Sequence, residues 1–208
     1  MILLEGIAAG CILSLTLFPG TVWVAKVGVC GSVRQVLAVS AGFWLSQVVW
    51  LCVAMPGLRV MLKNLYFIRP VMYLFAAGSL AYLGYKFFRT PKAKSLSDAG
   101  ELPSAGVLFR HAFVRSLAMP MRLPLAMSLA LATMLFVNHP LTHETVAWAV
   151  LWGAVGALYW WGQLAILAML FAKSVPEGVT LKSINKIRPF GVVLFTLLAL
   201  MSTLLAAK

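Results

Sequence analysis

At 208 residues, 62% of them hydrophobic and 11% charged, with a mean hydropathy of +0.95, the chain has too little polar surface to fold as a soluble domain. Its net charge of +12 is spread between apolar runs rather than gathered on one water-exposed module, which argues against a nucleic-acid partner and for bases held at helix ends beside a lipid bilayer. Three cysteines, Cys11, Cys30 and Cys52, form no C-x-x-C pair, so neither a disulfide framework nor a zinc site is expected, and no cofactor fingerprint is present.

A crossing needs about 20 apolar residues. The first run extends from Ile2 towards Gly31 and is interrupted at Pro19-Gly20; Glu5 in its opening turns and the lack of a basic leader favour a first span over a lipoprotein signal ending at Cys11. The second lies between Arg34 and Arg59, 24 charge-free residues, and is expected to end at the turn signal Met55-Pro56-Gly57. The third runs from about Tyr66 to Phe88, with Arg69 and Lys86 snorkelling to the headgroups.

Residues 89–106 are the one long polar stretch, too short to fold alone, and read as a central loop. The fourth run, from about Val107 to Val137, contains Pro120 and Pro124, which cannot both sit in an unbroken helix. The fifth spans Glu144 to Lys173 and the sixth about Asn185 to Ala207. The expectation is an all-α, polytopic membrane protein of six transmembrane helices. Residues 1–88 and 107–208 each hold three spans opened by a broken helix. A tandem unit of three crossings must invert, so the two repeats have opposite topology.

Eleven bases flank one side of this arrangement, in the segments 26–34, 86–110 and 173–188. Four, Arg59, Lys63, Arg69 and Lys208, flank the other, while Arg115 and Arg122 remain within the fourth run. The positive-inside rule then places those three segments in the cytoplasm and both termini outside.

Candidate path residues follow from what lipid cannot tolerate. A proline within a span frees a backbone carbonyl, that of Leu15 for Pro19 and that of Ser116 for Pro120, and such groups persist only where protein or a watery cavity answers them. The break residues Pro19, Gly20, Thr21 and Pro120 are therefore candidates, against the plainer reading of kinks packed on neighbours. Arg122, between two prolines, is the one base near mid-membrane, where insertion costs about 2.5 to 3.5 kcal/mol. It should face the interior, either to hold a substrate carboxylate or to bind the freed carbonyls. Gln47 is the most polar group of the second span; Gly153, Gly156, Trp160 and Gln163 share a face of the fifth, for packing or for lining the path. His139 and His143 have metal-like spacing, but Pro140 between them and the helix start at Thr142 favour an ordinary loop, and no metal is expected.

Five segments carry a family resemblance: Phe18-Pro19-Gly20, Gly28 to Arg34, Gly78-Ser79-Leu80-Ala81-Tyr82-Leu83-Gly84-Tyr85-Lys86, Met119-Pro120-Met121-Arg122, and Asn185 to Gly191. Along nearly its whole length the chain resembles the lysine exporter (LysE/RhtB) superfamily. The resemblance implies a multi-pass protein of the cell inner membrane that exports amino acids or related small metabolites, with a small-molecule substrate and the bilayer as its partners; a homodimer is admitted. Thr21 stands where that family has a second proline, Met119 where it has asparagine, and Gln47 where many members carry an acid. Rival readings are a cation exporter of the same superfamily, thiol redox transfer, and a non-transporting helical partner that associates through the small-residue stripe Gly6, Gly10 and Ser14. None of the five acids is expected to reach mid-membrane, so a coupling proton would have no carboxylate there.

Overall fold

The computed structural model of the chain describes residues 2–64, 69–90, 102–119, 121–133, 139–140, 142–171 and 177–207. The described residues form eight helices: α1 (Ile2–Leu15), α2 (Phe18–Cys30), α3 (Val33–Asn64), α4 (Arg69–Arg89), α5 (Ala105–Leu117), α6 (Arg122–Ala132), α7 (His143–Phe171) and α8 (Glu177–Ala206). No strand occurs among them. Four helices, α3, α4, α7 and α8, are long and apolar enough to cross a membrane, and α1 with α2 makes a fifth candidate, bent by 73°.

Several bulky side chains face outward, Leu4, Phe88, Leu170 and Leu204 among them, as a surface solvated by lipid requires and one in water would not. Inside, the most extensive packing is α4 on α8, followed by α1 on α7, α3 on α5 and α3 on α7. Glycines permit the closest of these approaches. A Cβ on Gly10 would collide with the Gly153 carbonyl, and one on Gly156 with the Ile7 carbonyl, so α1 and α7 meet backbone to backbone. The stripe Gly6, Gly10 and Ser14, suggested as a surface for another protein, is instead buried within the chain against α7 and Gln47. On the other side Gly191 leaves room for Phe87, whose ring lies 5.3 Å from that of Phe195.

Two boundaries depart from expectation. The second span does not end at Met55-Pro56-Gly57: α3 continues to Asn64, and at about 1.5 Å per residue is roughly 48 Å long. Pro56 is exposed, on the side away from the packed core, so its ring and the carbonyl it frees disturb no neighbour. Likewise α8 starts at Glu177 and runs through Pro189, taking Lys182, Lys186 and Arg188 into its first half. Arg188 there donates to the Phe88 carbonyl at the end of α4. The fourth run is two helices, α5 and α6, each too short to cross alone, and α5 exposes Arg110, His111 and Arg115. By length and composition the described helices therefore account for up to five crossings; a sixth needs α5 and α6 to act as one broken span.

Candidate functional site

The break between α1 and α2 falls at Thr16 and Leu17, ahead of Pro19, which occupies the first turn of α2 where a missing N–H is harmless. Backbone bonds bridge the bend: Leu17 N–H donates to the Ser14 carbonyl, and the N–H groups of Gly20 and Thr21 both donate to that of Leu17. The carbonyl that draws side-chain donors is Leu13's rather than Leu15's, because the helix ends two residues before the expected point. It accepts from Thr16 Oγ1 at 2.6 Å and from Arg122 Nη1 at 3.2 Å, and the same nitrogen donates to Thr16 Oγ1 at 2.8 Å.

Arg122, only 3% exposed, thus projects from the first turn of α6 onto the C-terminal end of α1, where the helix dipole favours a cation. Its Nε and Nη2 groups, with three N–H donors, bond to no described residue. One turn away Ser14 Oγ donates to Gln47 Oε1 at 2.7 Å, and Gln47, fully buried, keeps its Nε2 without a partner among the described residues. The two polar side chains singled out in separate spans, Gln47 and Arg122, are therefore brought together at the end of α1. At the second break the Ser116 carbonyl accepts from Trp50 Nε1 at a long 3.5 Å. Pro120, expected to free that carbonyl, lies outside the described residues.

The remaining candidates divide. Gly20 and Thr21 are buried; Pro19 is exposed. Trp160 is half-buried with its Nε1 enclosed and unpartnered among the described residues. Gln163 is exposed and does not join the interior face. The buried stripe of α7 follows Gly153, Ala157, Trp161 and Ala165 at helical period, and a residue two beyond Trp161 points about 200° away from it.

A cavity of about 170 Å³ opens beside the first break. Leu17, Gly20 and Phe43 are its buried lining, Trp23 is half-buried, and Pro19, Arg115 and Met119 form an exposed rim. Phe43 lies stacked on Trp161 at 4.8 Å and edge-on to Trp23 at 5.7 Å. Gly20 fits closely here: a Cβ would come within 3.0 Å of Trp161 and 3.1 Å of Phe43, and these rings would have to yield by a few tenths of an ångström. Of these residues the sequence argument reached Pro19 and Gly20 but missed Trp23, Phe43 and Arg115. The one signal for Arg115 was its position within an apolar run, shared with Arg122.

The Nε2 of His139 lies 2.9 Å from Glu5 Oε2 and ties α1 to the segment before α7. Thr142 caps α7 by accepting from the Thr145 N–H at 3.1 Å. Among the described residues no three groups of metal-ligating type converge.

A lipid-exposed helical bundle in which a broken helix ends on a buried arginine, beside a cavity, has the build of a multi-pass transporter. The chain belongs to the LysE type translocator family, whose model matches residues 11–203. No curated protein and no solved structure shows a comparable match.

Proposed function

We propose that this translocator exports small carboxylate-bearing metabolites, amino acids or close derivatives, from the cytoplasm across the cell inner membrane. The observation that carries this reading is the convergence of Arg122 and Gln47 at the broken end of α1. A guanidinium with donors that no described residue takes up suits a carboxylate, and an amide whose Nε2 has no partner among the described residues suits the polar remainder of a zwitterion. A cation exporter is disfavoured, because the most deeply buried charge at this place is positive.

Six crossings in two inverted repeats, 1–88 and 107–208 about the loop 89–106, complete the proposal. Exchanging the halves pairs α1 with α5, α2 with α6, α3 with α7 and α4 with α8. That exchange turns the α1–α7 packing into α5–α3 and leaves α4–α8 and α3–α7 unchanged, and these are the four most extensive packings in the bundle. Ser14 and Ser116, each the penultimate residue of its helix, both bond to adjacent residues of α3, Gln47 and Ser46. The packing correspondence supports an internal two-fold relation.

Cells producing the protein are expected to survive toxic amino-acid analogues several-fold better than controls. Resistance confined to toxic metal salts would move the reading to a cation exporter. Charge asymmetry places the termini outside and residues 26–34, 86–110 and 173–188 in the cytoplasm. Reporter fusions at Asp98 and Lys208 should accordingly report opposite sides; the same side for both would remove the six-crossing arrangement.

A further inference from the structure

We infer that the cavity rimmed by Arg115 is a cargo-binding subsite for a small carboxylate with one neutral, apolar side group of ring or branched size, and that it discriminates against dibasic and metal cargo. The inference rests on the export reading above and names the substrate class within it.

Size comes first. At about 170 Å³ the cavity is comparable with the ~150 Å³ voids that take up a benzene ring, so it holds one side-chain-sized group and not an oligomer. Its walls set the character of that group. Leu17, Trp23 and Phe43 offer apolar and aromatic surface, and the Phe43 ring is held in place by Trp161 behind it. Such a preformed wall favours a flat or branched apolar group over a hydrated one.

Charge decides the rest. Among the described residues that line the cavity Arg115 is the one ionisable group, with no acid beside it. Pro19 and Gly20, in the first turn of α2, bring the positive end of that helix's dipole to the same wall, although the Gly20 N–H is already taken by the Leu17 carbonyl. The charge on the described lining is positive, so a carboxylate is attracted, while a second ammonium group or a metal ion meets no counter-charge among the described residues. Position is consistent with loading from the cytoplasm: the cavity lies between α2, the first half of α3 and α5, whose bases Lys26, Arg34 and Arg110 belong to the cytoplasmic set. A solute seated there lies against the residues that begin α2, directly beyond the break that Arg122 holds from the other side.

The test is binding of radiolabelled phenylalanine and leucine to the purified full-length protein in detergent, paired with counterflow in vesicles. Both ligands should bind and compete with each other. Phenethylamine, which lacks the carboxylate, and lysine should compete at least about tenfold more weakly. Arg115→Gln should weaken binding by a similar factor, Arg115→Lys should recover part of the loss, and Met119→Trp should block the mouth without lowering the yield of folded protein. Phenethylamine or lysine competing as well as phenylalanine, unchanged affinity in Arg115→Gln, or displacement of the amino acid by anionic lipid would each overturn the assignment. The two readings fail differently. Binding with the expected selectivity but no counterflow would sink export and keep the subsite; counterflow of another solute by a protein that binds neither amino acid would sink the subsite and keep export.

Discussion

Arg122→Ala is expected to abolish transport while leaving the protein inserted in the membrane at close to its normal amount. Removing a buried charge lowers the insertion penalty by about 2.5 to 3.5 kcal/mol, so the translocon has less to overcome. The fold retains its local cap, because the Leu13 carbonyl still accepts from Thr16 Oγ1 at 2.6 Å. What disappears is the guanidinium that bridges α6 to the broken end of α1. Arg122→Lys keeps the charge but not the planar fork, and should fall between the two. Export assays read beside quantitative immunoblots of the membrane fraction separate the cases. Wild-type export by Arg122→Ala would reduce this residue to a helix cap, and loss of the protein from the membrane would assign it to folding.

The second large effect concerns stability. Gly10→Ala and Gly156→Ala each add a Cβ where a backbone carbonyl of the facing helix already lies, and backbone at the contact of two long helices cannot step aside as a side-chain tip can. Overpacking of well-filled sites costs about 1 to 3 kcal/mol and more where the obstacle is rigid. Both variants should lose folded, monodisperse protein in detergent and melt well below the parent. Gly162→Ala and Gly78→Ala are matched controls, since a Cβ at either meets open space, and in a helix the change should be neutral or stabilising by up to about 1 kcal/mol. If Gly10→Ala melts together with Gly162→Ala, the α1–α7 contact is not as close as described.

The legible parts of this protein were those governed by the bilayer. Apolar length located α4 and α7 closely, and the need to answer freed carbonyls marked both breaks and singled out Arg122. Pro56 and Pro189 were harder. A proline signals a turn only if its helix has no reason to continue, and lipid gives the helix that reason by leaving the backbone no other partner. Gln163 was misplaced because spacings of three, four and three were taken as one face, whereas the buried side of α7 drifts along the period of 3.6. The pairing of His139 with Glu5 joins positions 134 apart in sequence, and no local pattern announces it. The cavity was invisible for a similar reason. Trp23, Phe43 and Arg115 lie on three different helices, and each taken alone is an ordinary residue of an apolar run or a helix end.

The elbow at Thr16 and Leu17 distributes mobility unequally between the two rods it joins. α1 is clamped along its length, with its glycines locked against α7, Ser14 tied to Gln47 and its last turn gripped by Arg122. α2 packs less extensively on its neighbours and is connected to α1 through a pivot of two residues. Any swing at this joint is therefore a movement of α2 about a stationary α1, carrying Gly20 and Trp23 with it. That short lever holds a wall of the cavity.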